Sequence, residues 1–474
     1  MVDEELEKAI YEEFCKDIYD EVYDELEEKF SDMGHLHGCN VAEIAEVLIR
    51  QGENVNTKDK YGNTPLHYCR DLRTAEVLIK NKANVNAANS EGKSILHVCE
   101  DLDIITLLIK NGADLNLKDF YGKTPVYYHK NPEIIRILAE NGANLNSADE
   151  YGRTPLHYCT YDMTLARLLV ENGADVNIKD EIKRTALHYC KNPQIADLLI
   201  ENGANVNEVD DYGKTPIYYC NNKSMLIKLL EIGADINWTD CYGRNILYYC
   251  KNIEIAKLLM EKGLNIRAVD ESGMTILHLC KNKEVAKILL EKGLDLTLKD
   301  KYGNTPLHYS ANAEIAKLLI ENGADVNSKN NKGITPLHMC ADAQIAKLLI
   351  ENGADVNAAD EEGKTPLYYC KDVEVTKVLL ENDADVMALE KKGRNLLHYC
   401  RNAEIARLLL QKGVDVNEED MEGFTPLYNC KNTEVARLFI EKGADIKVLN
   451  KAGKAPLDYC IDKDIMYVLK KYGA

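Results

Sequence analysis

Apolar and polar positions repeat along most of the chain with a period of about 30 residues, and the stretch from Asp300 to Asn327, DKYGNTPLHYSANAEIAKLLIENGADVN, shows the pattern most fully. Asp300 followed by Tyr302-Gly303-Asn304 predicts a hairpin tip, because Gly tolerates positive φ and Asp can bond its own backbone two residues on. Thr305 is placed to cap a short first helix whose first position is Pro306, where a missing N–H costs nothing, and which carries Leu307, His308 and Tyr309. Asn312 is placed to cap a second helix, in which Ile315, Ala316, Leu318, Leu319 and Ile320 fall at the spacing of one buried face. Gly323 supplies a left-handed stop. Neither helix is long enough to bury its apolar face alone, so each copy requires neighbours on both sides, as in a solenoid.

The segment Thr305-Pro306-Leu307-His308-Tyr309-Ser310 resembles the T-P-L-H-x-A signature of the ankyrin-repeat family, and equivalents begin at Thr64, Ser94, Thr124, Thr154, Thr185, Thr215, Asn245, Thr275, Thr335, Thr365, Asn395, Thr425 and Ala455. The resemblance implies an all-α fold: an ankyrin-like helix-turn-helix solenoid with hairpin or loop tips, in a curved superhelical array. The spacing of about 30 residues is shorter than the family's unit of about 33. The shortfall lies between the helices, where Leu-His-Tyr-Cys runs through two or three residues into the second helix. Slightly tighter repeats are expected.

Residues 1–30 differ in kind, holding roughly half of the net negative charge, with Leu6, Ile10, Phe14, Ile18, Val22, Leu26 and Phe30 at four-residue steps. They predict an acidic amphipathic segment, either a cap over the first repeat or a helix that docks on a partner. Residues 31–474 form the array: a degenerate first repeat, with Leu36-His37-Gly38-Cys39 in place of the later motif, then about 14 repeats, the last truncated. One unit carries an extra residue near Tyr161 and has Lys183 where other tips have Gly. A kink, an accident of descent and a contact site are equally open readings of that unit.

The formal charge of −20 argues against general binding of nucleic acid or anionic membrane, which needs clustered Lys and Arg. No apolar run reaches the roughly 18 residues of a membrane span, and the N-terminus is acidic where a secretory signal would be basic. A cytoplasmic location is expected, or a host cytosol for an exported effector. Of 15 cysteines, 12 share one column from Cys69 to Cys460, the place of a small buried residue, and neighbours one repeat apart are too distant for a disulfide. The histidines from His67 to His398 share another column and are expected to be hydrogen-bonding fold residues. No nucleophile elbow, phosphate loop or metal helix is present, so no catalytic residue, cofactor or metal is implied.

Partners are therefore expected to be one or more proteins, met on exposed tips and the concave face. The residue before the tip Gly is aromatic at Tyr121, Tyr151, Tyr212 and Tyr242, and the residue after it is basic at Lys123, Arg153, Arg184, Lys214 and Arg244. Trp238, the single tryptophan, lies on an arm of the hairpin that carries Tyr242 and Arg244. These residue types dominate interface hot spots, and together they form the candidate contact ridge. The expected role is a non-enzymatic scaffold acting by occupancy, with a host-directed effector or inhibitor as one form of it. The alternative is an acidic decoy that imitates nucleic acid through residues 1–30.

Overall fold

The computed structural model describes residues 35–473, so the acidic segment 1–30 lies outside the described residues. The described residues fall into two compact units, one ending at Trp238 and the other beginning at Thr239. Each is a stack of the same two-helix element. In the repeat that opens at Asp300, a single turn at Pro306–Tyr309 leads through three residues to a nine-residue helix at Ala313–Glu321. The first helices are mostly four residues long throughout, which accounts for the short period. Among the described residues there is no strand, only an isolated bridge between Val269 and Thr275.

Each predicted local device is in place. The Asp300 carboxylate accepts from the Tyr302 and Asn304 amides at 2.9 and 2.8 Å, closing the tip. Asn312 Oδ1 accepts from the Glu314 amide at 2.8 Å and caps the second helix. Gly323 ends that helix at φ +94°, where an added Cβ would touch nothing, so the conformation alone selects glycine.

Burial follows the helical period. Ile315, Ala316 and Leu319 of the second helix are sealed at 0–3% exposure, and Leu307 of the first helix closes over them at 4%. In the second unit they join a core that runs from Leu307 through Ile345, Leu379 and Leu409 to Leu469. Each such side chain contributes roughly 1.5–3 kcal/mol, and only because the neighbouring repeat covers it.

Within each unit the tips at the other end of the repeats are tied by backbone. The Glu150 amide donates to the Tyr121 carbonyl at 2.9 Å, Glu181 to Tyr151 at 3.0 Å and Asp211 to Ile182 at 3.0 Å. In the second unit Asn331 donates to Tyr302 and Glu361 to Lys332, both at 2.9 Å. This close approach is why a tip needs glycine: a Cβ on Gly152, at φ +74°, would lie 2.8 Å from the Glu181 amide nitrogen. The irregular unit keeps both ties. Its extra residue is absorbed in the interhelix turn, where the Thr160 amide bonds the Tyr158 carbonyl at 2.8 Å.

Candidate protein-interaction surface

The tip carboxylate is the hub of each inter-repeat joint. Its Oδ1 is spent on the turn, and its Oδ2 takes a phenol from the first helix, as from Tyr309 to Asp300 and Tyr189 to Asp180, both at 2.6 Å. A buried carboxylate without a partner is expensive, and the chain avoids one by a consistent exchange. Where the tyrosine is replaced by Leu279 or Asn429, an arginine from the preceding tip takes over: Arg244 Nε donates to Asp270 at 3.0 Å and Arg394 Nε to Asp420 at 2.7 Å. Where both are absent, beside Val98 and Met339, the turn residue is Asn89 or Asn330. Their amides donate to Asn63 and Asn304 of the preceding tips at 3.0 and 2.8 Å.

Lys123, Arg153, Arg184 and Arg244 of the candidate ridge are part of this joint. Lys123 Nζ lies 4.7 Å from the centre of the Tyr158 ring, Arg153 sits 4.9 Å over Tyr189, and Arg184 sits 4.2 Å over Tyr219, each ring belonging to the next repeat. Arg184 also donates to Asp210 at 3.0 Å, and its side chain is only 19% exposed. Burial works to raise the Asp210 carboxyl but is overcome by the Tyr219 hydroxyl, the Lys214 and Tyr212 amides and Arg184, which hold it below the usual range. Lys214 is half-buried. Trp238 is half-buried too, its Nε1–H donating to the Gly213 carbonyl at 2.8 Å while its own carbonyl accepts from the Tyr218 hydroxyl at 2.6 Å.

The aromatic members face the other way. Tyr121, Tyr151 and Tyr212 of the first unit are 50, 53 and 46% exposed at the tips, although the ties already described fix the backbone at Tyr121, at Tyr151 and at Asp211 beside Tyr212. Tyr242, at 51%, and Arg244 belong to the second unit, where Arg244 is engaged with Asp270. The sequence pattern thus grouped two populations: outward tyrosines and inward cations. Sequence reasoning missed the joint between them because the ring under each cation lies 35 or 36 positions further on, as from Lys123 to Tyr158 or Arg153 to Tyr189. That offset becomes visible only when each tip Lys or Arg is tabulated against the next repeat's first-helix tyrosine.

The histidine column is structural. His308 Nδ1 accepts from the Thr305 amide at 3.1 Å, so Nε2 carries the proton and donates to the Ile334 carbonyl of the next repeat at 3.0 Å. Burial lowers these imidazoles, His188 to about 4. Tyrosine substitutes for histidine at Tyr127, Tyr218, Tyr248, Tyr368 and Tyr428, and reaches the next repeat with its hydroxyl, as from Tyr428 to Lys454 at 2.6 Å. It offers nothing to the capping threonine, and the buried hydroxyls of Thr124, Thr215, Thr365 and Thr425 have no partner. The column cysteines are free, and burial pushes Cys99 and Cys190 up to about 11.

No helix among the described residues is long and apolar enough to cross a membrane. Comparison with curated proteins gives no match. A family model described as ankyrin repeats, in three copies, matches overlapping segments at 36–119, 99–180, 162–240, 220–300, 246–330, 310–390, 337–420 and 371–450. Arrays of that kind are in general protein-interaction modules and typically non-enzymatic. Since those segments run nearly end to end over the same capped helix pair, tip and stop, the chain belongs to the ankyrin-repeat family.

Proposed function

We propose that the protein is a non-enzymatic scaffold that binds a partner protein through its tip tyrosines and acts by occupancy, blocking or tethering what it holds. The observation that carries this reading is the pairing of about half-exposed rings at Tyr121, Tyr151 and Tyr212 with tips fixed by backbone hydrogen bonds. A ring held on a rigid support loses little entropy when it is covered, which is why tyrosine is effective at interfaces. Lys123, Arg153, Arg184 and Trp238 serve this surface by holding successive tips in register, with the half-buried Lys214 beside them. Tyr242 and Arg244 repeat the arrangement in the second unit. A host-directed effector is one setting in which such occupancy would be useful.

The test is capture of proteins from a cell lysate by the intact chain and by the triple variant Tyr121→Ala, Tyr151→Ala, Tyr212→Ala, with thermal denaturation run on both. A protein held by the intact chain and lost by an equally stable variant supports the tyrosine row. Equal capture by both sinks it. The acidic-decoy reading rests on the composition of residues 1–30, and a chain lacking them that still binds the same protein excludes it for that partner.

A further inference from the structure

The second unit contains an open groove of about 660 Å³ that runs from the Tyr302 tip to Tyr369. It opens where three columns depart together from their usual residues. Ile334 stands where most tips have Lys or Arg, so no cation lies over the Tyr369 ring; Met339 replaces the first-helix tyrosine; Ala341 replaces the basic residue seen at Lys281, Lys371 and Arg401. The same loss of the tyrosine at Val98 accompanies a groove of about 570 Å³ in the first unit, but its rim carries Glu100 and Asp101 beside Arg70. A missing ring accompanies a groove in either unit, and the neighbouring columns decide its chemistry.

Around Met339 the chemistry is apolar below and basic at the rim. Met339 is 41% exposed and Tyr369 37%, whereas the smaller Ile334 and Cys340 form a half-buried floor. Lys332 and Lys371 line the rim, and past Tyr369 the groove continues over Tyr399 to Arg401. Asp372, the acidic residue of the lining, is committed as a helix cap, accepting from the Glu374 and Val375 amides at 2.9 and 3.0 Å. At the adjacent tip Glu362 is held by Lys364 at 2.6 Å, and neither it nor Glu361 lines the groove. On a chain of net charge −20, this is a local surface of opposite sign.

We propose that this groove binds an extended acidic segment of a partner protein, seating one large apolar side chain over Met339 and Ile334 and placing its carboxylates against Lys332, Lys371 and Arg401. The site deepens the protein-binding reading but does not depend on Tyr121, Tyr151 and Tyr212, which lie in the other unit. Apolar burial supplies the anchor, and the cations select the charge of its flanks.

A random-peptide display library selected on the full chain tests the assignment. The expected winners carry acidic residues on both sides of a leucine, isoleucine, methionine or phenylalanine. A fluorescein-labelled synthetic winner should bind about tenfold or more weakly to the variant Ile334→Lys, Met339→Tyr, Ala341→Lys, which fills the groove with the array's own usual residues and so should remain folded. It should weaken as much on Lys371→Glu, Arg401→Glu and lose affinity with rising salt. The Tyr121→Ala, Tyr151→Ala, Tyr212→Ala variant should bind it unchanged. Winners without acidic bias, or affinity within about twofold on the filled variant, would overturn the site. Loss on the tyrosine variant instead would move these peptides to the first unit. Displacement of a winner by a synthetic copy of residues 1–30 would overturn the assignment to a partner and make the chain's own acidic segment the occupant.

Discussion

At the scale of single residues, the joints between repeats are governed by the rule that buried polar atoms must be satisfied. Thr335 shares its hydroxyl with His338 at 2.8 Å, whereas Thr365, beside Tyr368, has a buried hydroxyl with no partner. Thr335→Val should therefore cost about 1–2 kcal/mol in urea denaturation, and Thr365→Val should be neutral or stabilising. Arg394→Met strands the Asp420 carboxylate, whose side chain is 1% exposed, and should cost about 3 kcal/mol, much of it regained by adding Asp420→Asn. The histidines set the pH response. An unfolded imidazole takes up a proton near 6.5, and the buried His188 resists until about 4. Between those values the unfolded state holds more protons, so stability is complete above about pH 6.5 and falls as pH drops, by on the order of 3 kcal/mol for a full shift at His188. A urea midpoint no lower at about pH 5 than at about pH 7.5 would contradict this. Asp59, Asp210, Asp300 and Asp420, held below their ordinary 3.8, add a second loss only at still lower pH. The histidine, cysteine and turn-aspartate roles were legible in sequence because each involves its own repeat or a column of identical residues. The exchange of tyrosine, arginine and asparagine around the carboxylate was not, because it compares neighbours.

At the scale of the repeat element, caps and stops were legible almost to the residue, since Thr305, Pro306, Asn312 and Gly323 act through local backbone geometry. The tip glycine was legible for its positive φ but not for its second constraint, the adjacent tip that leaves no room for a Cβ. Lys183 shows the cost of ignoring the first: it holds φ +61° with a side chain attached. Its ion pair with Asp211 at 2.7 Å is exposed and offsets little of this. Lys183→Gly should raise stability by about 0.5–1 kcal/mol, and a lower urea midpoint in that variant would show that the tip is not strained. The groove over Met339 was illegible at this scale, because each departure is unremarkable in its own column and only their coincidence in one repeat, beside Tyr369 of the next, makes a cavity.

At the scale of the molecule, a thiol in almost every repeat makes opening directly readable. Cys241, exposed on a tip, should react with iodoacetamide at once, while the column cysteines react only as their repeats open. Cys69, Cys99, Cys159 and Cys190 are buried, with Cys220 the half-buried exception in the first unit, but Cys280, Cys340, Cys400 and Cys460 are half-buried, so in rising urea the second unit should label before those four by mass spectrometry. Simultaneous labelling of all columns would show instead that the array opens as one. The family was legible from the repeated motif; the division at Trp238 was not, for the motif passes through it without change. The exchange around the tip carboxylate also bears on descent. Repeats of this sort are gained and lost by unequal crossover, yet the charge on one unit is balanced by a side chain on the unit before it. A duplicate of the repeat bearing Ile334, inserted ahead of Asp420, would leave that carboxylate with neither a phenol nor a guanidinium. The heritable module is therefore the junction between two repeats, and viable duplications should carry whole junctions with them.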